Sequence, residues 1–505
     1  MPRTRRLNIS QEKIEPNTEQ NEKQPFVKPT GFREYDARWR FPDEINLLGV
    51  QALGMGIATQ LKKSSGTTPR IVVGHDYRSY SATVKQALTI GLLASGAKVY
   101  DIGVCITPMA YFARAFLKAP GIGMVTASHN ENGWTGVKVG DVIPVTHGPD
   151  EMSELKRIVL AGEFAQGTGK YVWRPEVFDK YIRTLSKSTK LNRPLKVVCA
   201  CGNGTASLFA PKILKSIGCK VVPQNCDIDW TFPNFNPNPE NIGFANALKE
   251  KVIQAKADLG LGFDGDGDRI GVIDNTGELI FADRLGLLIA RHLCQEHPNS
   301  HFVVDVKSTS LFANDEILKS HNSDAEYWKT GHSYIKRRVN EIKALAGFEK
   351  SGHFFFSPPI GGGYDDAMVS AILVCQLIDR QNKPLSQLLA ELPKTWQSPT
   401  MGPECPDEVK YDVVKKVTEH YSSIKEKGEQ IAGQPIKEII TINGARVVLQ
   451  DGTWGLIRAS SNKPSLVVVV ESPTSDAAMR AMFNHLDAVL HRFPEVGQYD
   501  QGLDG

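Results

Sequence analysis

An apolar run passes directly into an acidic loop at Ala257-Asp-Leu-Gly-Leu-Gly-Phe-Asp-Gly-Asp-Gly-Asp-Arg269. The run over 257–263 is typical of a buried strand. Asp264, Asp266 and Asp268 stand two residues apart with glycines between them, so an extended, glycine-hinged turn would let their side chains converge on one hard cation. Because oxygen-only ligands suit Mg²⁺ better than zinc, the segment predicts a strand that ends in a magnesium site.

Three other interpretations of this loop are weaker. An EF-hand Ca²⁺ loop requires Gly at its sixth position and Glu at its twelfth, where this chain has Arg269 and Asn275. An aspartyl-phosphate hydrolase would use Asp264 as a nucleophile, but no lysine motif is placed to support it. An acidic surface turn rarely has the sequence D-G-D-G-D directly after a buried strand.

The size and composition of the chain indicate several globular domains. Its 505 residues exceed one hydrophobic core, and 41% hydrophobic with 23% charged residues is ordinary for a globular protein. A net charge of +3 gives no electrostatic case for nucleic acid, and no apolar run approaches the roughly 18 residues of a membrane helix. The eight cysteines show no paired metal spacing, so we expect reduced core residues of a cytoplasmic protein.

The first 28 residues are polar and contain Arg3, Arg5 and Arg6. An apolar targeting region is missing, and four glutamates between residues 12 and 22 argue against a transit peptide. The composition therefore predicts a disordered tail over 1–28.

One pattern, a buried strand followed by a polar loop, occurs three times in the chain. It is found over 70–81, 196–207 and 301–310, and the strand valines Val73, Val198 and Val304 lie 125 and 106 residues apart. Strands that alternate with helices indicate α/β units with parallel strands. We therefore predict three similar α/β domains, over 29–175, 176–280 and 281–397.

The last hundred residues have a different pattern. Strands are expected over 438–449, 454–458 and 466–470, with flanking helices near 411–420 and 476–493. Ser475 is placed to cap the final helix. Grouped strands with helices at the flanks predict a smaller α+β domain over 398–505.

Three further loops have the composition of binding sites. Ser128-His129-Asn130 follows a strand that begins at Gly121, and a turn then leads to Lys138. A hydrolase nucleophile would sit in a G-x-S-x-G elbow, which is absent here, so Ser128 is either a phosphate acceptor or a capped turn facing solvent.

The other two loops suit a sugar and a phosphate. Glu349, Ser351 and His353 alternate, so an extended segment would place them on one face for a polyhydroxylated ligand, unless the segment is an edge strand with a solvated face. Arg458-Ala-Ser-Ser-Asn-Lys463 has the composition of a phosphate cradle, although a polar hairpin loop would have it too.

Together these motifs resemble the α-D-phosphohexomutase superfamily, and most closely its bacterial phosphomannomutase/phosphoglucomutase branch. The resemblance runs from about Phe32 to Glu471, with the motifs in family order. It implies mixed sheets in the three α/β domains, arranged with the α+β domain around a central cleft. It also implies a Mg²⁺ site formed by Ser128, Asp264, Asp266 and Asp268, with Ser128 carrying the transferred phosphate.

The resemblance assigns further residues to the site. The catalytic set would be Ser128, Lys138, Arg38, Arg269, His332 and His353. The substrate-binding set would be Tyr35, Lys307, Glu349, Ser351, His353, Arg458, Ser460, Ser461 and Asn462. The general base stays open among His353, Lys138 and His332.

The chain departs from the family pattern at four places. Glu131 replaces a proline, and Phe348 and Ala367 each replace a glycine. In the last loop, Ser460-Ser461-Asn462 replaces the usual Ser-Asn-Thr. None removes a charged reactive group, so these changes bear on sugar preference rather than on activity.

The implied reaction is reversible phosphoryl transfer between O1 and O6 of a hexose phosphate, through a phosphoserine and a 1,6-bisphosphate. Mannose and glucose phosphates would be substrates, with glucose 1,6-bisphosphate as activator, in a cytoplasmic monomer or dimer without nucleic-acid or membrane partners. A phosphoglucosamine mutase is the alternative, although its last loop usually reads Arg-x-Ser-Gly-Thr-Glu-Pro. A metal-dependent sugar phosphatase and a non-catalytic sensor fit less well.

Overall fold

The structure is a computed structural model that describes residues 4–16 and 18–503. It divides into two compact units, which are described separately. The first comprises the chain up to Ala282 together with Val339–Ala346 and Ser351–Ser386. The second comprises Asp283–Arg338, Gly347–Lys350 and the chain from Gln387 onward.

The first α/β domain is built on a six-stranded sheet. Its strands are β1 (Thr4–Arg6), β2 (Ala37–Arg40), β3 (Arg70–His75), β4 (Lys98–Val104), β5 (Gly121–Val125), β6 (Trp134–Gly140), β7 (Glu163–Ala165) and β8 (Lys170–Trp173), and its helices are α1 (Glu19–Lys23), α2 (Leu47–Ser65), α3 (Ser81–Ala94), α4 (Thr107–Phe116) and α5 (Pro149–Ala161). The sheet order is β2-β6-β5-β3-β4-β8, with β1 and β7 paired separately. The sheet is mixed, because β3, β4, β5 and β8 pair in parallel while β6 runs antiparallel to β5.

The second domain repeats this plan on a smaller scale. Its elements are α6 (Glu176–Ser188), β9 (Lys196–Ala200), α7 (Ala210–Ser216), β10 (Lys220–Gln224), α8 (Ile242–Ala255), β11 (Leu259–Phe263), β12 (Ile270–Ile273) and β13 (Leu279–Ile280). The order β10-β9-β11-β12-β13 has parallel pairs on one side and antiparallel pairs on the other. The carboxyl ends of β9, β10 and β11 therefore meet at one sheet edge.

The third domain contributes strands to both units. Its elements are α9 (Ala282–Glu296), β14 (His301–Asp305), α10 (Glu316–Ser320), β15 (Asp324–Trp328), α11 (His332–Glu341), β16 (Ala346–Phe348), β17 (Phe354–Phe356), β18 (Tyr364–Asp365), α12 (Ala367–Gln381) and α13 (Leu385–Ala390). In the second unit β14 pairs in parallel with β15, and in the first unit β17 pairs antiparallel with β18.

The C-terminal domain carries an antiparallel sheet. Its elements are β19 (Trp396–Gln397), α14 (Lys410–Lys427), β20 (Gln430–Ile431), β21 (Gln434–Ile440), β22 (Ala445–Leu449), β23 (Trp454–Ala459), β24 (Leu466–Ser472) and α15 (Asp476–Leu490). The strand expected over 438–449 is two strands, because the chain turns back at Gly444, whose φ is +92°. Ser475 caps α15 as predicted, accepting from the Ala478 amide. The predicted fold class, three α/β domains with mixed sheets and a C-terminal α+β domain, is confirmed.

The prediction of a disordered tail over 1–28 is wrong for the described residues after Arg6. Phe26 and Val27 are buried, and Ile9 and Ile14 are nearly so. Asn46 fixes this segment, because its Oδ1 caps α2 and also accepts from the Phe26 amide at 2.9 Å. The four apolar residues are too dispersed to form a periodic signal, so only tertiary contact reveals their burial. Residues 1–3 and 17, which the prediction also covered, lie outside the described residues.

None of the helices in the described part of the chain is both long enough and apolar enough to cross a membrane.

Helix α12 begins at a buried acidic cap. The Oδ1 of Asp366 accepts from the amides of Met368 and Val369, at 2.9 and 3.1 Å, and the Tyr181 hydroxyl lies 2.9 Å from Oδ2. Burial raises the pKa of Asp366 to about 7, although these hydrogen bonds oppose the shift. Because the pKa of Asp366 in the folded protein exceeds the usual Asp value, the folded state holds this proton more tightly than the unfolded state does. The stability that this proton contributes is lost as the pH rises through about 7.

We expect Asp366→Ala to lower the free energy of unfolding by about 1 to 2 kcal/mol, because α12 loses its cap. Asp366→Asn is the matched control, since its amide oxygen can still accept from both backbone groups. The control should become more stable relative to the natural protein as the pH rises from about 5 to 8. Urea unfolding across this range measures both effects, and a pH-independent difference would contradict the raised pKa.

Candidate active site

The acidic loop is the turn of the hairpin that joins β11 to β12. The Gly267 amide donates to the carbonyl of Asp264 at 3.2 Å, which closes a tight turn in place of the extended one that we predicted. Gly267 has a φ of +69°, and a Cβ on Gly265 would stand 2.6 Å from the carbonyl oxygen of Ser128. The two glycines therefore permit a left-handed backbone and a close approach to the serine loop.

The three aspartates of this turn are fully buried, and a carboxylate oxygen from each lies within 4.8 Å of the others. Oδ1 of Asp264 accepts from the amides of Asp268 and Arg269 at 3.2 Å each. Oδ2 of Asp266 accepts from the Thr107 hydroxyl at 2.6 Å. Oδ1 of Asp266 has no hydrogen-bond partner among the described residues, and Oδ1 of Asp268 faces Nε2 of His353 at 3.4 Å. Three buried carboxylates whose oxygens are not all engaged by the protein are what a hard cation requires, so the site fits Mg²⁺.

The charges around this cluster are unevenly balanced. Lys138 forms an ion pair with Asp268 and lies 3.3 Å from Asp266. Burial alone would raise the pKa of Asp268, but Lys138 and His353 hold it well below its usual value. Burial, with the negative charges of Asp268 and Asp266, raises the pKa of Asp264 well above its usual value. Arg269, whose Nε lies 3.9 Å from Oδ2 of Asp264, compensates this charge only in part.

Ser128 projects into this cluster from the loop after β5. Its φ of +53° is unusual for a residue other than glycine, and such strain concentrates at functional sites. Its side chain is buried, and its hydroxyl donates to Oδ2 of Asp264 at 3.3 Å. Nδ1 of His129 lies 3.2 Å from the same hydroxyl. The structure thus brings the predicted serine to the predicted carboxylates and excludes the solvent-facing alternative.

Arg78 holds the serine loop in this conformation, and the sequence analysis did not assign it to the site. Its Nη2 donates to the carbonyls of Ser128 and Asn130, at 2.9 and 2.6 Å. It also forms a buried ion pair with Asp76, which in turn accepts from the Thr126 hydroxyl at 2.8 Å. The signal for Arg78 in the sequence is the polar loop directly after β3, to which the sequence analysis assigns no functional residue.

His353 and Arg269 lie beside the acidic turn. Nε of Arg269 donates to Nε2 of His353 at 3.3 Å, and that nitrogen lies 3.4 Å from Oδ1 of Asp268. Ser351 Oγ is 3.1 Å from Nδ1 of the same histidine. The extended segment expected over 349–353 is a turn between β16 and β17, because Gly352 has a φ of +91°.

Arg38 and Tyr35 complete the predicted residues of the first α/β domain. Nη1 of Arg38 donates to the side-chain oxygen of Asn130 at 3.2 Å, and Nη2 lies 3.2 Å from Asp36. Tyr35 is buried. Arg38 and Arg78 therefore both contact Asn130 of the serine loop, Arg38 at its side chain and Arg78 at its carbonyl.

Lys307, His332 and Glu349 belong to the second unit. The Glu349 carboxylate accepts from the amide of Gly331, the residue directly before His332 at the start of α11. Nζ of Lys307 lies 3.6 Å from Asp305, and both side chains are buried. Glu349 and the Gly331-His332 pair are thus brought together by the fold.

The Arg458 loop, also in the second unit, follows β23. Arg458 is buried, and its Nη1 donates to the carbonyl of Ala459 at 2.6 Å. Its Nε has no hydrogen-bond partner within the part of the chain that the structure describes. Lys410 supports the loop by donating to the carbonyls of Ser460 and Lys463. Ser460 and Ser461 are buried, and Asn462 follows them at the loop tip.

Comparison with known proteins identifies the family. The models of the three α/β/α domains of phosphoglucomutase/phosphomannomutase match residues 29–166, 179–277 and 281–396, and its C-terminal domain matches 404–488. A phosphomannomutase/phosphoglucomutase of Pseudomonas putida is 32% identical over 452 residues, covering 89% of this chain and 93% of that protein. The chain belongs to the phosphoglucomutase/phosphomannomutase family.

Two further relatives agree with this assignment. A phosphoglucomutase of Neisseria meningitidis is 32% identical over 470 residues, covering 92% of this chain and 97% of that protein. The structure of a phosphoglucomutase/phosphomannomutase family protein from Burkholderia thailandensis has a TM-score of 0.81 at 29% identity, covering 92% of this chain and 98% of that one. The predicted class, an isomerase that transfers phosphoryl groups within hexose phosphates, is confirmed.

We expect Arg78→Met to lower both stability and turnover. The buried Asp76 carboxylate would lose its cation, which typically costs about 3 to 5 kcal/mol of unfolding free energy. The serine loop would also lose charged hydrogen bonds, which corresponds to roughly 10- to 100-fold in turnover.

The double variant Arg78→Met/Asp76→Asn separates these effects, with Asp76→Asn alone as control. We expect urea unfolding to show stability largely recovered while turnover of glucose 1-phosphate stays low. Full recovery of turnover would show that Arg78 only neutralises Asp76.

Proposed function

We propose that this chain interconverts hexose 1-phosphate and hexose 6-phosphate through a phosphoserine at Ser128. The observation that carries the proposal is the buried Ser128 hydroxyl, which lies 3.3 Å from Asp264 within a cluster of three carboxylates. A serine in a strained, water-poor position beside a cation site is suited to hold a phosphoryl group ready for transfer.

Two transfers complete the proposed reaction. In the first, the Oγ–P bond of phosphoserine breaks as an O–P bond forms to the free sugar hydroxyl, whose proton passes to a base. The product is a hexose 1,6-bisphosphate. In the second, the other phosphoryl group returns to the Ser128 oxygen and a proton returns to the sugar oxygen that it leaves. No phosphate is released, so the serine is phosphorylated again at the end of each cycle.

Asp264, Asp266, Asp268 and an oxygen on Ser128 are the groups that would hold Mg²⁺. When bound, the ion supplies positive charge beside the phosphoryl group. Three carboxylates and a phosphoserine of about −2 exceed one Mg²⁺ by about three negative charges. The positive charges of Lys138 and Arg269, beside Asp266 and Asp264, reduce this negative excess. Arg38 supports the loop that carries Ser128.

The proton must pass to a group within hydrogen-bond reach of the sugar hydroxyl. Burial opposes protonation of Lys138, but Asp266 and Asp268 raise its pKa well above the usual lysine value. Asp266 and Asp268 thus favour the charged form of Lys138. The base stays open among Lys138, His353, whose Nδ1 lies beside Ser351, and His332, at the start of α11.

Substrate recognition would depend on residues that do not take part in the transfer. The unpartnered Nε of Arg458 suits the phosphate group that is not reacting, with Ser460, Ser461 and Asn462 around it and Lys307 as a further cation. Glu349 and Ser351 would contact the sugar hydroxyls. Because neither residue is assigned to C2, we propose that both glucose and mannose phosphates are substrates.

A phosphoglucosamine mutase stays the alternative, since it would use the same serine and carboxylates on a 2-amino sugar. We further propose glucose 1,6-bisphosphate as activator, because it would restore phosphate to Ser128, and a cytoplasmic location. Monomer and dimer are both compatible with this chemistry.

Phosphorylation of Ser128 is the first test. We expect intact-mass and peptide analysis of the purified protein to find one phosphate at Ser128, and Ser128→Ala to lose nearly all turnover. Ser64→Ala, at an exposed serine of the same domain, is the control and should keep both phosphate and activity. Glucose, mannose and glucosamine 1-phosphates should be assayed while free phosphate is followed.

Each outcome of this assay discriminates between functions. Efficiencies for glucose and mannose 1-phosphate within about 30-fold, corresponding to about 2 kcal/mol, support the proposal. Glucosamine 1-phosphate as the best substrate would favour the alternative mutase. Stoichiometric free phosphate would indicate a phosphatase, and full activity of Ser128→Ala would exclude the phosphoserine.

Dependence on Mg²⁺ is the second test. Chelation should abolish turnover, and added Mg²⁺ should restore it. Asp266→Asn should weaken Mg²⁺ binding in calorimetry while the protein remains folded, because the amide still accepts from Thr107 but removes one negative charge from the cluster. Asp43→Asn, at an exposed site, is the control. Full turnover in the presence of excess chelator would contradict a catalytic role for the acidic turn.

A further inference from the structure

Three thiols form a cluster in the second domain, outside the candidate active site. Cys199 lies in β9, Cys201 follows the end of β9, and Cys226 follows the end of β10. Their sulfur atoms all lie within 4.8 Å of one another, with Sγ–Sγ distances of 3.9 Å between Cys199 and Cys201 and 3.6 Å between Cys201 and Cys226. Cys199 and Cys201 are buried, and Cys226 is half-buried, so Cys226 is the thiol of the three that is accessible to solvent.

These separations suit thiolates that share one cation. Two thiolates bound to Zn²⁺ at about 2.3 Å in tetrahedral geometry are about 3.8 Å apart. A disulfide requires an S–S distance of about 2.05 Å and would involve two of the thiols, leaving the third unused. All three sulfur atoms lie within 4.8 Å of one another, so one shared cation can use all of them, in place of the bond from the Cys226 thiol to the carbonyl of Cys199 at 3.1 Å.

The backbone holds the three thiols in place. β9 and β10 are parallel neighbours, with Cys199 opposite Pro223 in the register. The Asn203 amide donates to the carbonyl of Asn225 at 2.7 Å, and its side chain donates to the carbonyl of Asp227 at 2.7 Å. These bonds join the two loops that carry Cys201 and Cys226, so the ligands are arranged before any cation binds.

We propose that Cys199, Cys201 and Cys226 bind a thiophilic d¹⁰ cation such as Zn²⁺, as a second metal site separate from the acidic turn. Soft thiolates select such ions, whereas the carboxylates of the acidic turn select Mg²⁺. The two sites therefore take different cations from the same solution. A solvent molecule would complete the coordination on the half-exposed side of Cys226.

This thiol site is linked to the acidic turn through the loop that follows Cys201. The Thr205 amide donates to the carbonyl of Gly265 at 3.1 Å, and a Cβ on Gly204 would stand 3.2 Å from the Cα of Gly265. The Thr205 hydroxyl also accepts from the Tyr77 amide at 2.9 Å. A cation that joins the ends of β9 and β10 thus stabilises the base on which the acidic turn is packed.

The test is Cd²⁺ titration of the full, reduced chain, saturated with Mg²⁺ and kept in a non-thiol reductant. We expect the ultraviolet charge-transfer band of Cd–thiolate bonds to saturate at one Cd²⁺ per chain, Zn²⁺ to displace it, and the melting temperature to rise. Cys226→Ser should bind at least about 100-fold more weakly, since even groups that only support metal ligands typically contribute roughly 10- to 100-fold. Cys405→Ser, a buried cysteine of the C-terminal domain, should bind as the natural protein does.

Thiol alkylation of the natural protein gives a readout that does not depend on folding of a variant. Bound Cd²⁺ should slow alkylation of Cys226, the half-buried thiol of the three, in peptide mass analysis. The absence of a thiolate band at stoichiometric Cd²⁺, an unchanged band in Cys226→Ser, or protection of cysteines outside the cluster would each overturn the proposal. Recovery of Cys201 and Cys226 as a disulfide in protein that binds no Cd²⁺ would also overturn it.

Discussion

Asp264, Asp266 and Asp268 lie together out of contact with water, where like charges repel strongly because little solvent screens them. Lys138 neutralises part of this charge from β6, and Arg269 approaches from the far side of the turn. Burial, together with the charges of Asp268 and Asp266, raises the pKa of Asp264, and Arg269 offsets this shift only in part. A cation bound at this cluster would neutralise the remaining negative charge, so the electrostatics of the fold and the proposed metal site are linked.

The serine loop is held against the acidic cluster by close backbone packing as well as by side-chain contacts. Gly265 has no Cβ, so the carbonyl of Ser128 can approach the acidic turn directly. That carbonyl also accepts from Arg78, whose charge is balanced by Asp76. The positive φ of Ser128 is thus stabilised by a hydrogen bond from Arg78, which follows β3, and by close packing against Gly265, which follows β11. Such bracing keeps the hydroxyl beside the carboxylates.

One edge of the second sheet carries two different kinds of cation ligand. β11 ends in the acidic turn, whereas β9 and β10 end beside the thiols of Cys201 and Cys226. Carboxyl ends of parallel strands are the usual position for ligand sites in α/β sheets. A hydrogen bond from the Thr205 amide to the carbonyl of Gly265 joins the loop that follows Cys201 to the acidic turn.

The strand-and-loop units, the family, and the residues of the acidic turn and the serine loop can be recognised from the amino-acid sequence, because each is a local pattern of polarity at a strand end. Features that depend on contacts between distant segments became visible only in the folded chain. These are the burial of Phe26 and Val27 against the first domain, the bracing of Ser128 by Arg78, and the meeting of Cys226 with Cys199 and Cys201. The partners are separated by tens of residues, and no periodicity or spacing records a distance in space. The turn at 349–353 shows the same limit, because alternation along the chain predicts a shared face only if the backbone stays extended, and the positive φ of Gly352 ends that extension.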